Sequence, residues 1–177
     1  VDDILDLSRL ESGAMELKLG RLSLNDVARD AMQTTKGLAR RYGVELRAEI
    51  DESLPALPLD EVRIRQAVVN LLVNGIRFSP RDEAVTVRTR MDGRFLRLEV
   101  NDRGPGLAPT TALHVFELFG QGPGADGEGR YGLGLGLHLV KRLTELHGGH
   151  VGVQSMPDEG STFWIKLPVA AAQVLEP

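Results

Sequence analysis

Apolar positions along the chain switch between two periods, and the switches mark its elements. In VDDILDLSRLESG, Ile4, Leu5, Leu7 and Leu10 recur at helical spacing with no N-cap before them, and Gly13 supplies a stop. MELKLGRLSL (15–24) then alternates like an edge strand. Ser23 is placed to cap a helix over LNDVARDAMQTTKGLARRYG, with Asp26 in an approximate capping-box position. VELRAEI (44–50) reads as a strand and the proline-rich ESLPALP as a loop. Residues 60–78 read as a strongly apolar helix closed by Pro80. AVTVRTRM (84–91) and RFLRLEV (94–100) predict two strands joined by an Asp92-Gly93 turn.

The C-terminal half is punctuated by glycine. NDRGPGLAP is a glycine-rich loop, TALHVFELF a short helix and GQGPGADGEGR a flexible tract. From Gly132 to Leu137 glycine and leucine alternate, then Leu139, Val140, Leu143 and Leu146 take up helical spacing until Gly148 and Gly149 end it. Strands follow at 150–156 and 161–169, then a tail, AAAQVLEP. Helices and strands mix without strict alternation. The expected fold is therefore α/β: a two-layer sandwich with a mixed sheet, helices on one face and a helical stub in front.

Composition narrows the picture only a little. The chain has 177 residues, 42% hydrophobic and 26% charged, enough to bury a core. A net charge of −4 argues against a nucleic-acid surface but leaves room for a local phosphate pocket. With no cysteine, disulfides and thiolate metal sites are excluded. His147 and His150 flank a double glycine without metal-site spacing, and no run approaches a membrane span.

Three stretches carry candidate chemistry. On the 60–78 helix Gln66, Asn70, Asn74 and Arg77 fall on one stripe. The stripe either faces solvent or aims amide oxygens and a cation at a ligand; amide oxygens suit Mg²⁺, and a guanidinium suits phosphate. In VNDRGPG (100–106), Asp102 can accept hydrogen bonds while Gly104 and Gly106 admit a flat ligand, although DxGxG alone also describes many turns. The Gly132–Leu137 run ahead of a helix can present backbone N–H groups to phosphate, or can be a packing turn. GPGADG (122–127) matches GxGxxG but lacks the flanking strand and helix, and no P-loop occurs.

In this order the stretches resemble the ATP-binding domain of bacterial sensor histidine kinases, members of the GHKL ATPase superfamily. NLLVNGIRFS (70–79) resembles the N box, NDRGPGL (101–107) the G1 box, VFELF (115–119) the F box and GLGLGL (132–137) the G2 box. EGSTFWIKLP (159–168) resembles the closing strand, and ILDLSRLESGAMEL (4–17) the end of the second dimerisation helix. The resemblance implies residues 1–13 as that helix end, 14–170 as the catalytic domain and 171–177 as a tail. It implies ATP and Mg²⁺ as ligands, with Asn74 on the metal and Asn70 at the phosphates. Arg77 stands where lysine is usual, and Asn74 with Arg77 are the catalytic candidates. Phe78 would lie against the adenine, Asp102 would accept its amino group, and Gly104 and Gly106 would admit the base. Gly132, Leu133, Gly134, Leu135, Gly136 and Leu137 would form the triphosphate loop, and QGPGADGEGRYG the lid.

The same resemblance implies a cytoplasmic domain of a homodimeric parent. Its partners would be the dimerisation helices and a response regulator receiver, not nucleic acid. None of His114, His138, His147 and His150 has the acidic follower of a phosphoacceptor, which implies a histidine supplied from outside these residues. Gly75 replaces a usual alanine, at up to ~1 kcal/mol of helix stability, and Leu133 a usual hydroxyl residue. Arg77 and Leu133 leave a nucleotide-sensing or scaffold domain without phosphotransfer as the alternative. Other GHKL ATPases use a glutamate base on the N-box helix, where this chain has Gln66, Asn70 and Asn74, with Glu61 at the far end.

Overall fold

The computed structural model describes residues 2–118 and 134–169. In chain order the elements are α1 (Asp2–Glu11), β1 (Gly20–Leu22), α2 (Leu24–Tyr42), β2 (Glu45–Ile50), β3 (Leu57–Leu59) and α3 (Glu61–Phe78). They continue with β4 (Ala84–Asp92), β5 (Phe95–Asp102), α4 (Pro109–Ala112), α5 (Gly136–Leu146), β6 (His150–Ser155) and β7 (Ser161–Pro168).

The main sheet runs β2-β4-β5-β7-β6. β2 and β4 are parallel and the other pairs antiparallel, so the sheet is mixed. Alternation along β5 separates two faces. Leu96, Leu98 and Val100 join Leu71, Leu72, Ile76, Leu139, Leu143 and Ile165 in a core between the sheet and α2, α3 and α5. Arg97, Glu99 and Asn101 lie on the opposite face. There Arg97 donates to Glu99 at 2.8 Å, and Arg97 and Lys166 each sit 4.8 Å from the Trp164 ring. This is the two-layer sandwich with helices on one face that the pattern predicts.

Local chemistry sets the helix ends. The Ser23 hydroxyl accepts the Asp26 N–H at 3.4 Å, the expected N-cap of α2. Asp60 caps α3 by accepting the Arg63 N–H at 3.2 Å. Ser79 turns extended because a residue before proline is driven out of the helical region.

Four expectations are corrected. The edge strand over 15–24 shrinks to β1, which pairs with β3 in a separate two-stranded sheet. β3 forms inside ESLPALP, read as a loop, because an isolated two-stranded ribbon tolerates Pro58, whose missing N–H matters only within a sheet interior. TALHVFELF is not one helix: α4 ends at Ala112, and 113–118 form turns. Asp92 pairs with Phe95, so the hairpin turns on Gly93-Arg94 rather than Asp92-Gly93.

Candidate functional site

α3 crosses the sheet over the end of β5, and Gly75 lets it lie close. A Cβ there would come 3.3 Å from a methyl of Val100 and of Val85, and 3.7 Å from the Asp102 Cβ. The helix propensity lost at Gly75 thus accompanies a close approach of the helix to Asp102.

Asp102 is the last residue of β5 and is 2% exposed. Its Oδ1 accepts the Gly104 N–H at 2.9 Å. Burial pushes its carboxyl from 3.8 up to about 6, against the opposing pull of the Gly104 and Ser161 amides. Beside it a Cβ on Gly104 would lie 2.8 Å from the Phe78 carbonyl oxygen and 3.0 Å from the Asp102 Oδ1. Gly104 therefore lets the loop backbone pack directly against the end of α3 and the carboxylate, where a side chain would clash. Gly106 has φ +69, and a Cβ there would meet the Met156 carbonyl oxygen at 1.9 Å. The Ser79 hydroxyl holds the same loop by accepting the Arg103 N–H at 3.2 Å.

The polar stripe of α3 divides into two. Gln66 does not join a ligand-facing row. Its amide donates to Asp6 at 3.0 Å and Asp3 at 3.5 Å, because α1 packs against that end of the helix. Asn70 donates to the Gly136 carbonyl at 3.4 Å, tying α3 to the start of α5. The side chain of half-buried Asn74 makes no hydrogen bond among the described residues, so its amide oxygen is available to a hard cation. Arg77 is exposed and Phe78 half-buried at the same end.

At the start of α5, Gly134 has φ +70 and Leu135 takes the N-cap position without a side-chain cap. The first turn of α5 therefore has no side-chain cap, and its first residue lies within reach of Asn70. Leu137 packs against the core beneath. Gly132, Leu133 and the expected lid lie outside the described residues.

Asparagine amides on one helix, an uncapped helix start beside Asn70 and a buried carboxylate beside the close-packed Gly104 fit a nucleotide with a bound divalent cation. A family model described as "Histidine kinase-, DNA gyrase B-, and HSP90-like ATPase" matches residues 59–171. The chain belongs to this ATPase family. It is 36% identical over 171 residues to the alginate biosynthesis sensor protein KinB of Pseudomonas aeruginosa, covering 96% of this chain and 28% of that protein. It is also 36% identical over 173 residues to the non-motile and phage-resistance protein of Caulobacter vibrioides, covering 96% and 20%. The structure of full-length ShkA in complex with AMPPNP superposes with a TM-score of 0.82 at 33% identity, covering 94% of this chain and 34% of that one. The chain thus spans a fifth to a third of the length of these proteins.

Two features of this chain escape sequence reading. α1 is held by polar clamps: Arg63 pairs with Asp6 at 3.1 Å, and Glu11 pairs with Arg142 at 3.1 Å and approaches His138 at 3.6 Å. His147 is a structural pin. Its Nδ1 donates to the Leu143 carbonyl at 2.8 Å, and its Nε2 accepts the Asp60 N–H at 3.1 Å. Desolvation lowers its pKa, against weaker opposing effects of the Leu143 carbonyl and Asp60. These partners are distant in sequence, and only helix patterning, not pairing, is legible beforehand. Among the described residues no cluster of acidic or histidine side chains could hold a metal, and no helix is long and apolar enough to cross a membrane.

Proposed function

We propose that this domain binds ATP with Mg²⁺ and presents the γ-phosphate to a phosphoacceptor histidine carried by the dimerisation helices of a two-component sensor kinase. The observation that carries the reading is the Asp102 carboxylate, buried at the end of β5 beside the end of α3 and the close-packed Gly104 backbone. A buried acceptor recognises an amino group such as that of adenine and rejects a carbonyl there, since two unpaired acceptors face to face would cost ~1–3 kcal/mol. Phe78, Gly104 and Gly106 form the walls of the base site.

Asn74 and Asn70 supply amide groups for the cation and phosphates, and Arg77 a guanidinium at the same helix end. Gly132, Leu133, Gly134, Leu135, Gly136 and Leu137 form the phosphate loop, with the α5 amides donating to phosphate oxygens. The cation neutralises phosphate charge when bound. Nothing here acts as general base; the residues orient the nucleotide and hold its charge, and catalysis is positioning plus charge neutralisation. Residues 14–170 form the nucleotide-binding unit in this reading, and 1–13 the end of a dimerisation helix. A response regulator receiver is the downstream partner, the parent is a homodimer, and the domain works in the cytoplasm.

Isothermal titration of the chain with Mg-ADP and Mg-GDP tests the pocket. Adenine-selective binding lost in Asp102→Asn supports it, and equal binding of both bases refutes the assignment. Radiolabel from γ-labelled ATP on a histidine-bearing dimerisation domain, acid-labile and base-stable, tests the transfer. Binding without transfer would leave a scaffold.

A further inference from the structure

Far from the candidate site, at the β2 edge of the sheet, α2 stops short of covering the sheet's last strand. A groove of about 470 Å³ lies between them, floored by Met32, Val44, Leu46 and Ala48 and rimmed by Lys36 and Arg40. Ala48 is exposed and Leu46 half-buried, whereas their parallel partners Val87 and Val85 on β4 are fully buried. The apolar floor therefore continues past the last strand into open space.

The strand's backbone is open on the same side. β2 pairs only with β4, in unbroken one-to-one register from Glu45 to Ile50, with no proline or bulge to blunt the edge. The Glu45 N–H points inward, donating to the Glu83 carbonyl at 3.0 Å. By strand alternation the N–H and C=O groups of Leu46, Ala48 and Ile50 point outward. The residues that line the helix-side floor thus also carry the open ladder groups.

Charge selects the occupant. Lys36 and Arg40 are exposed and make no ion pair among the described residues, while Arg29 at the groove's end already pairs with Asp26 and Glu52. Glu45, the acidic group at the groove, is neutralised by Arg47 at 2.7 Å. Free positive charge at the rim stands out on a chain of net charge −4.

We propose that this groove binds an extended acidic segment of a partner protein. The segment adds a strand to the outer edge of β2, sets apolar side chains on Leu46 and Ala48, and places carboxylates at Lys36 and Arg40. The free ladder groups favour a peptide over a fatty-acid-like anion, which has no backbone to pair with them.

The probe is a fluorescein-labelled Thr-Glu-Thr-Leu-Thr-Glu-Thr amide, with a Lys-for-Glu version as control. Anisotropy should show saturable binding of the acidic peptide, weakened at least tenfold by Lys36→Glu/Arg40→Glu and by raised salt. Hydrogen exchange should slow at the Leu46, Ala48 and Ile50 amides and stay unchanged at Arg47 and Glu49. Unaltered Mg-ADP binding in the double variant checks that it folds. The proposal is overturned by no binding at millimolar peptide, by equal binding of the lysine peptide, or by protection that omits those three amides. Sedimentation showing the same amides protected by self-association would assign the edge to a second copy instead.

Discussion

Gly104 both donates to and crowds Asp102. Its N–H lies 2.9 Å from the Asp102 Oδ1, and a Cβ on the same residue would stand 3.0 Å from that oxygen and 2.8 Å from the Phe78 carbonyl. The donor steadies a carboxylate that burial disfavours, and the missing side chain lets the loop backbone lie against the end of α3. Gly104→Ala should therefore push the loop off the end of α3 and move the Asp102 carboxylate out of place. ADP affinity should fall at least tenfold, by titration calorimetry, while circular dichroism stays native.

Asp102→Asn separates recognition from stability. The neutral amide removes a desolvated charge, so the unliganded variant should melt no lower than the wild type. Its ADP affinity should fall by at least tenfold, ~1.4 kcal/mol or more. A parallel drop in melting temperature would mean that Asp102 serves the fold rather than a ligand.

The same carboxyl sets a pH signature. It titrates near 3.8 in the unfolded chain and at about 6 in the folded one. Between those values the native state holds more protons, so this group makes stability fall as pH rises from about 4 to about 6. Nucleotide binding needs the ionised form, so affinity should drop about tenfold from pH 7 to pH 5. His147 acts in the opposite sense. Its lowered pKa means the unfolded chain binds the extra proton, and stability falls as pH drops below 6.5. Melting curves of wild type minus Asp102→Asn across pH 4–7 isolate the Asp102 contribution; a flat difference would refute the raised pKa.

His147→Ala should destabilise the domain by ~1–3 kcal/mol, because the Asp60 N–H at the start of α3 loses its acceptor. Urea unfolding at pH 7.5 measures it. His147→Gln should recover part of the loss if its carbonyl oxygen reaches the same amide.

Asn74→Ala tests the cation site. Mg²⁺ should strengthen ADP binding to the wild type, and chelation with EDTA should abolish the gain. In Asn74→Ala the two conditions should converge. An unchanged Mg²⁺ effect would place the cation on other groups.

Much of this was written in the chain. Period-two and period-3.6 patterning gave the strands and long helices, because one-sided burial imposes those periods on any sheet-and-helix sandwich. Asp102, Gly104, Gly106 and the asparagines of α3 were legible as candidates through the order of their boxes along the chain, since DxGxG or a polar stripe alone also describes ordinary turns and solvent faces. What burial did to them was not legible. The shift of Asp102, the close packing at Gly104 and the approach of α3 at Gly75 depend on how closely two elements far apart in sequence pack. Gln66 illustrates the limit: its stripe pointed to a ligand, but α1 reaches it first through Asp3 and Asp6. β3 was hidden because pairing with β1 supplies the hydrogen bonds that ESLPALP cannot signal alone. Sequence periodicity determined which face each element would bury. Tertiary structure decided which polar groups met, because pairing depends on distance in space, on which a single chain's pattern carries no information.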